Sequence, residues 1–61
     1  MDNEPYLPRS ARVSQAAGMV SVQAECSPDA ALSLMADRAQ IEHVSLWALA
    51  RGVIEHTIRF N

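Results

Sequence analysis

The stretch Ser27-Pro28-Asp29-Ala30-Ala31-Leu32 decides the fold. The Ser27 hydroxyl can cap a helix N-terminus, and Pro28 needs no N–H at the first helical position. Asp29 places a carboxylate near the positive end of the helix dipole. Apolar residues then recur at helical spacing, with Leu34 beside them: Ala31, Leu32, Met35 and Ala39. The stretch therefore predicts a helix that begins after Ser27 and runs to about Gln40.

An earlier helix is predicted on the N-terminal side of this stretch. Ser10, directly after Pro8 and Arg9, is placed to act as its N-cap. Its apolar stripe consists of small residues: Val13, Ala16, Ala17, Val20 and Ala24. Small side chains favour close approach of another helix. We expect a contact at Gly18 that offsets the roughly 1 kcal/mol a mid-helix glycine costs relative to alanine.

A third helix is predicted on the C-terminal side, after a short connection at residues 41–44 and a cap at Ser45. Two apolar stripes follow the cap: Leu46, Leu49, Ala50, Val53 and Thr57, and beside them Trp47, Ala50, Ile54 and Ile58. Together they are wider than the roughly 100° stripe of a helix packed on one side. The third helix is therefore expected either to be central or to present Trp47, Ile54 and Ile58 to a dimer partner or a neighbouring domain.

Composition supports an all-α fold, a small three-helix module. The 61 residues include ten alanines, and alanine loses no side-chain entropy in a helix. With Gly 2, Pro 3 and 5% aromatic residues, the chain has too few turn formers and rings for a small sandwich or barrel. We assign residues 10–61 to the helical domain and residues 1–9, which contain Pro5 and Pro8, to a flexible lead-in.

Length and charge limit the possible functions. A chain this short can hardly build a core and also enclose a substrate cavity, so an enzyme with catalytic residues or a small-molecule substrate is not expected. The net charge is −2, and all five basic residues are arginines. A protein that coats nucleic acid normally carries excess positive charge. Any contact with nucleic acid must therefore be local and made by arginine.

Metal, cofactor and membrane functions are not expected either. Cys26 is the only cysteine, so no internal disulfide forms and a reducing cytoplasm is the default location. His43 and His56 are thirteen residues apart, and with one thiol they do not complete a zinc site. The longest apolar runs have five residues, too few to cross a membrane. The acidic N-terminus is unlike a signal peptide.

Four polar residues are candidates for nucleic-acid contact. Arg12 and Gln15 are neighbours at i, i+3 on the first helix, while Arg38 and Arg51 lie on the second and third. Unstacked RNA bases are recognised by hydrogen bonds and by stacking on aromatic or guanidinium planes. We therefore hypothesise that the four share one connected surface. The alternative is that these arginines are solvated surface charges and that the small residues only pack helices.

The order of these features resembles the ANTAR domain, the RNA-binding antitermination module of bacterial regulators. The resemblance lies in Gln15-Ala16-Ala17-Gly18-Met19-Val20, Ser27-Pro28-Asp29-Ala30-Ala31-Leu32, Ala39, and Leu46 with Ala50, Val53 and Ile54. The closing Ile58-Arg59-Phe60 looks like the tail of the actinobacterial branch, in which the module follows a GAF sensor domain.

The resemblance implies a module that binds paired RNA stem-loops in nascent mRNA and so prevents a terminator from forming. It implies a homodimer, or control by a GAF-like sensor domain on the same or another chain, and no cofactor. On the residues and the resemblance together, the RNA-binding residues are Arg12, Gln15, Ala16, Gly18, Arg38 and Arg51. The chain departs from the family where a basic residue is frequent, for example at Ala17 and Ala36.

Two other functions fit parts of the sequence. A helical dimerisation or docking module that no longer binds RNA fits the net acidity and the wide apolar face of the third helix. A helix-turn-helix DNA-binding protein fits less well. Its recognition helix would begin Ser45-Leu46-Trp47-Ala48, which offers few polar groups to read base edges. Trp47 can stack on a base, although a tryptophan at this spacing also fits a core or interface position.

Overall fold

The computed structural model describes residues 9–61, which form three α-helices and contain no strand. The helices are α1 (Arg9–Ala24), α2 (Pro28–Glu42) and α3 (Leu46–Ile54). The predicted all-α fold is confirmed. The predicted lead-in lies outside the described residues, apart from Arg9, which is the first residue of α1. Within residues 9–61, no helix is both long enough and apolar enough to span a bilayer.

Serine caps begin two of the helices, as predicted. The Ser27 Oγ accepts a hydrogen bond from the Ala30 N–H at 3.1 Å, and the Ser45 Oγ accepts one from the Ala48 N–H at 3.0 Å. The predicted cap at Ser10 is wrong, because α1 begins one residue earlier and Ser10 lies inside its first turn. Proline immediately before Arg9 favours this earlier start, since proline is common where helices begin.

All three helices are followed by a left-handed residue that is not glycine. These are Glu25 (φ 55), His43 (φ 58) and His56 (φ 65). The residue that follows each left-handed residue donates its backbone N–H to the carbonyl five positions earlier in the chain. These hydrogen bonds join Cys26 to Ser21 at 2.9 Å, Val44 to Ala39 at 3.0 Å, and Thr57 to Gly52 at 2.9 Å. This is the Schellman arrangement, which satisfies the last helical carbonyls.

The observed ends of α2 and α3 differ from the predicted ones. The helix α2 continues two residues past the predicted end at Gln40. The helix α3 ends at Ile54, so Thr57 and Ile58 belong to the segment that follows it rather than to its stripes. The predictions failed because glycine and asparagine, the usual residues at such helix ends, are absent there.

The core lies where α1 packs against both other helices, while α2 and α3 contact each other least. Most residues of the predicted stripes point inward, but Leu32 and Thr57 are exposed, so their predicted core positions are wrong. The buried apolar residues are Ala16, Ala17, Val20, Ala31, Met35, Ala39, Leu49, Ala50 and Val53. Met35 is the largest fully buried side chain. The many alanines around it allow the helix axes to approach closely.

The last five residues, which we call the C-terminal tail (residues 57–61), fold back on the helices. Ile58 lies over Gly52, where a Cβ would come within 2.5 Å of the Ile58 Cδ1. The Gly52 carbonyl also accepts a hydrogen bond from the Thr57 Oγ1 at 3.1 Å. Further along, the Phe60 N–H donates to the Gln23 Oε1 at 2.9 Å. The tail therefore connects α3 to α1.

Candidate nucleic-acid interface

A cleft lies on the surface between α1 and α3. Its volume is about 220 Å³, and it is lined by Arg12, Gln15, Arg51, Ile54 and Glu55. We call it the α1–α3 cleft. It brings together three of the four polar residues that the sequence suggested for nucleic-acid contact.

Helix geometry explains why these side chains meet. Arg12 and Gln15 are three residues apart on α1 and therefore share one face. Arg51 and Ile54 have the same spacing on α3. Because α1 and α3 pack along each other, the two faces meet at the edge of their interface. The half-buried Ile54 supplies an apolar wall between polar groups.

The charges in the α1–α3 cleft are unevenly paired. The Arg51 Nε donates to the Glu55 Oε2 at 3.1 Å. Arg12 is half-buried and forms no ion pair with any residue in the range 9–61. The cleft thus holds two guanidinium groups, one carboxylate and one amide. This set can donate several hydrogen bonds to a ligand and accept a few.

Arg38 lies at a different place. Its guanidinium pairs with the Glu42 carboxylate and stands over the Phe60 ring, 5.2 Å from the centroid. Phe60 is in turn bonded to Gln23, which is about 12 Å along α1 from Gln15 by helix geometry. The single surface hypothesised for four residues is therefore divided. Arg12, Gln15 and Arg51 line the cleft, and Arg38 contacts the C-terminal tail.

Two small residues suggested for RNA contact have contrasting surroundings. Ala16 is fully buried in the core, where its size serves helix packing. Gly18 is exposed, and a Cβ built there would meet nothing within 4 Å. The contact expected to offset the cost of this glycine is therefore missing among the described residues. The Gly18 carbonyl accepts a hydrogen bond from the Ser21 Oγ at 2.7 Å, a contact that does not require glycine.

The three residues suggested as a dimer or domain interface are half-buried within the chain: Trp47, Ile54 and Ile58. Ile58 packs on Gly52, and Ile54 lines the α1–α3 cleft. The most exposed large apolar side chains in residues 9–61 lie on the other two helices, Val22 on α1 at 77% and Ile41 on α2 at 75%.

Sequence reasoning missed Glu55 as a member of the cleft. The spacing of Arg51 and Glu55, four apart at the end of a helix, could have indicated the contact. Among residues 9–61 no three or more potential metal ligands are clustered.

Comparison with known proteins adds no relative: no family model, no curated protein and no solved structure matches the chain. Function is therefore inferred from the side chains of the α1–α3 cleft and from the motifs in the sequence.

Proposed function

We propose that this chain is an RNA-binding module of the ANTAR type, which recognises stem-loops in nascent mRNA as part of a transcription antitermination regulator. The observation that carries the proposal is the α1–α3 cleft, where Arg12, Gln15 and Arg51 surround an apolar wall. The motif order around Gln15 and Ser27 supports the same conclusion. In this proposal the module works in the cytoplasm, as a homodimer or under a GAF-like sensor domain.

The chemistry of the cleft suits an unstacked loop base better than a duplex. A guanidinium plane can stack on a base and also donate hydrogen bonds, while the Gln15 amide both donates and accepts. The Arg12 guanidinium lines the cleft, where it can pair with a phosphate. Because the net charge of the chain is −2, the protein can make only a few phosphate contacts.

The direct test is titration of the protein with a synthetic RNA that carries two hairpins with six-nucleotide loops. We expect saturable binding by fluorescence anisotropy. A slope of log K against log salt of about −1 to −2 follows from one or two phosphate contacts. A fully paired RNA of equal length, which lacks unstacked loop bases, should bind at least about tenfold more weakly. Absence of binding at low salt contradicts the proposal.

Matched variants test the role of the cleft itself. Arg51→Gln and Arg38→Gln each remove one guanidinium that is paired with a glutamate four residues later. Arg51→Gln should weaken RNA binding about tenfold, the loss of a charged hydrogen bond. Arg38→Gln should leave the affinity within about twofold, because Arg38 contacts the C-terminal tail and does not line the cleft. Equal losses in the two variants would contradict the assignment of the cleft as the RNA site.

A docking module is the second candidate, and the exposed Val22 and Ile41 favour it. Exposed apolar side chains contribute to a partner-binding surface where they form a contiguous patch. Sedimentation velocity of the wild type and of Val22→Ser separates the two functions. A dimer that Val22→Ser dissociates, together with no RNA binding, would support docking alone.

A further inference from the structure

The Arg51–Glu55 pair is poorly explained by the stability of α3. Glu55 directly follows the last residue of α3, where its carboxylate faces the negative end of the helix dipole. The order arginine before glutamate is the weaker of the two i, i+4 orientations. The side chains are 58% and 54% exposed, and ion pairs this exposed contribute little to stability. Arg38–Glu42 shares the orientation and the helix-end position, so the place of Glu55 in the α1–α3 cleft is what distinguishes it.

Its place in the α1–α3 cleft determines what kind of ligand group it can face. The Glu55 Oε2 accepts one hydrogen bond from the Arg51 Nε, which leaves a second acceptor site on Oε2, the whole of Oε1 and the terminal guanidinium N–H groups for a ligand. A phosphate has only acceptors, so the carboxylate repels it. A ligand that fits both residues must present N–H donors beside an acceptor.

Among RNA bases, guanine fits this description best. Its Watson–Crick edge carries two adjacent donors, N1–H and the N2 amino group, next to the O6 acceptor. A carboxylate can accept from both donors while a guanidinium donates to O6. Uracil has one such donor between two acceptors, while adenine and cytosine have one amino group and no ring N–H on that edge.

We propose that the Arg51–Glu55 pair reads the Watson–Crick edge of one unstacked guanine in an RNA loop, and that Glu55 is the residue that determines this specificity. The inference rests on the proposed RNA-binding function. It assigns Arg12 to the phosphate beside that base and the half-buried Ile54 to the apolar contact with its ring.

The chain contains a matched control for the test. Arg38–Glu42 has the same spacing and is likewise followed by a left-handed histidine, but it lies against Phe60. Glu42→Gln and Glu55→Gln thus make the same chemical change in the same helical setting. Thermal melts monitored by circular dichroism check that both variants remain folded.

The experiment selects from a pool of two-hairpin RNAs whose six-nucleotide loops are randomised, and sequences the bound fraction. The wild type and Glu42→Gln should enrich guanine at one loop position, and Glu55→Gln should lose that enrichment. For the best selected RNA, Glu55→Gln should bind about tenfold more weakly, as expected for one lost base contact. Replacing that guanine by inosine, which lacks the N2 amino group, should weaken the wild type but not Glu55→Gln.

Three results would overturn the inference while RNA binding stands: no guanine enrichment by the wild type, unchanged enrichment by Glu55→Gln, or uniformly tighter binding by Glu55→Gln. Tighter binding to all loops would show that the carboxylate only opposes phosphate. Failure of the wild type to retain any RNA would overturn the proposed function and the inference together.

Discussion

The chain contains the pattern arginine, three residues, glutamate, histidine twice, and the two copies have different surroundings. Residues 38–43 end α2 and residues 51–56 end α3, each with an i, i+4 ion pair and a left-handed histidine. The first pair is covered by the C-terminal tail, with side chains 38% and 39% exposed, and the second borders the α1–α3 cleft. The local sequence determines how each helix ends. The segment that packs against the helix end determines what its arginine, Arg38 or Arg51, can bind.

The C-terminal tail makes this difference. It places Phe60 under Arg38, and the Arg59 carbonyl accepts a hydrogen bond from the Arg38 NH1 at 3.4 Å. No described segment lies over Arg51 in this way. The first arginine is therefore used inside the molecule, while the second is available to a ligand.

Removal of the Phe60 ring should have the largest effect on the difference between Arg38, which contacts the C-terminal tail, and Arg51, which borders the cleft. Phe60→Ala should lower the free energy of unfolding by about 2 kcal/mol, because it removes a half-buried ring and a cation–π contact. Urea denaturation measures the loss, and RNA affinity should stay within about twofold. Phe60→Leu keeps apolar burial and should lose less than half as much. An unchanged denaturation midpoint in Phe60→Ala would show that the tail is not docked.

The two glycines give a second comparison, because Gly52 is covered by the C-terminal tail and Gly18 is exposed. Gly18→Ala should raise the free energy of unfolding by about 1 kcal/mol, because the position is helical and exposed and an added Cβ would meet nothing within 4 Å. Gly52→Ala should lower it by about 1 kcal/mol, since the new methyl displaces Ile58.

Thermal denaturation of both variants, and of Gly52→Ala in an Ile58→Ala background, provides the measurement. Once Ile58 is truncated, the substitution at Gly52 should become stabilising. The same sign at both glycines would contradict the packing described here.

The smallest expected changes in the free energy of unfolding come from the left-handed histidines, and they should be equal in the two copies of the pattern. His43→Gly and His56→Gly should each raise the free energy of unfolding by about 0.5–1 kcal/mol, because glycine adopts positive φ without the steric cost of a Cβ. Melting temperatures measure this, with His43→Ala as a control that should give no gain. A gain at only one histidine would show that tertiary contacts also hold the other helix end.

The sequence predicts those parts of the fold that local chemistry decides. Ser27 and Ser45 cap helices through hydrogen bonds to N–H groups three residues away, so their roles are visible in a short window. The helix ends after Glu42 and Ile54 are not visible in this way, because a positive φ is uncommon at any residue other than glycine. The number and order of the helices follow from periodicity, whereas their exact ends do not.

The candidate site is only partly predictable for a different reason. Arg12 and Gln15 share a face by spacing alone, but the separation of Arg38 from them depends on Gln23, 37 residues away from Phe60. Ala16 shows a further ambiguity. A small side chain suits both close approach of a ligand and close packing of helices, and the structure uses it for packing.

The full burial of Met35 has a practical consequence for measuring how the domain opens. A thioether at 0% exposure is shielded from peroxide in the folded state, whereas Met19 is only half-buried. Sulfoxide formation at Met35 should therefore follow the transient exposure of the centre of the molecule, with Met19 as the internal standard for reagent strength. Mass spectrometry of peptides that separate Met35 from Met19 can then report opening events without any label.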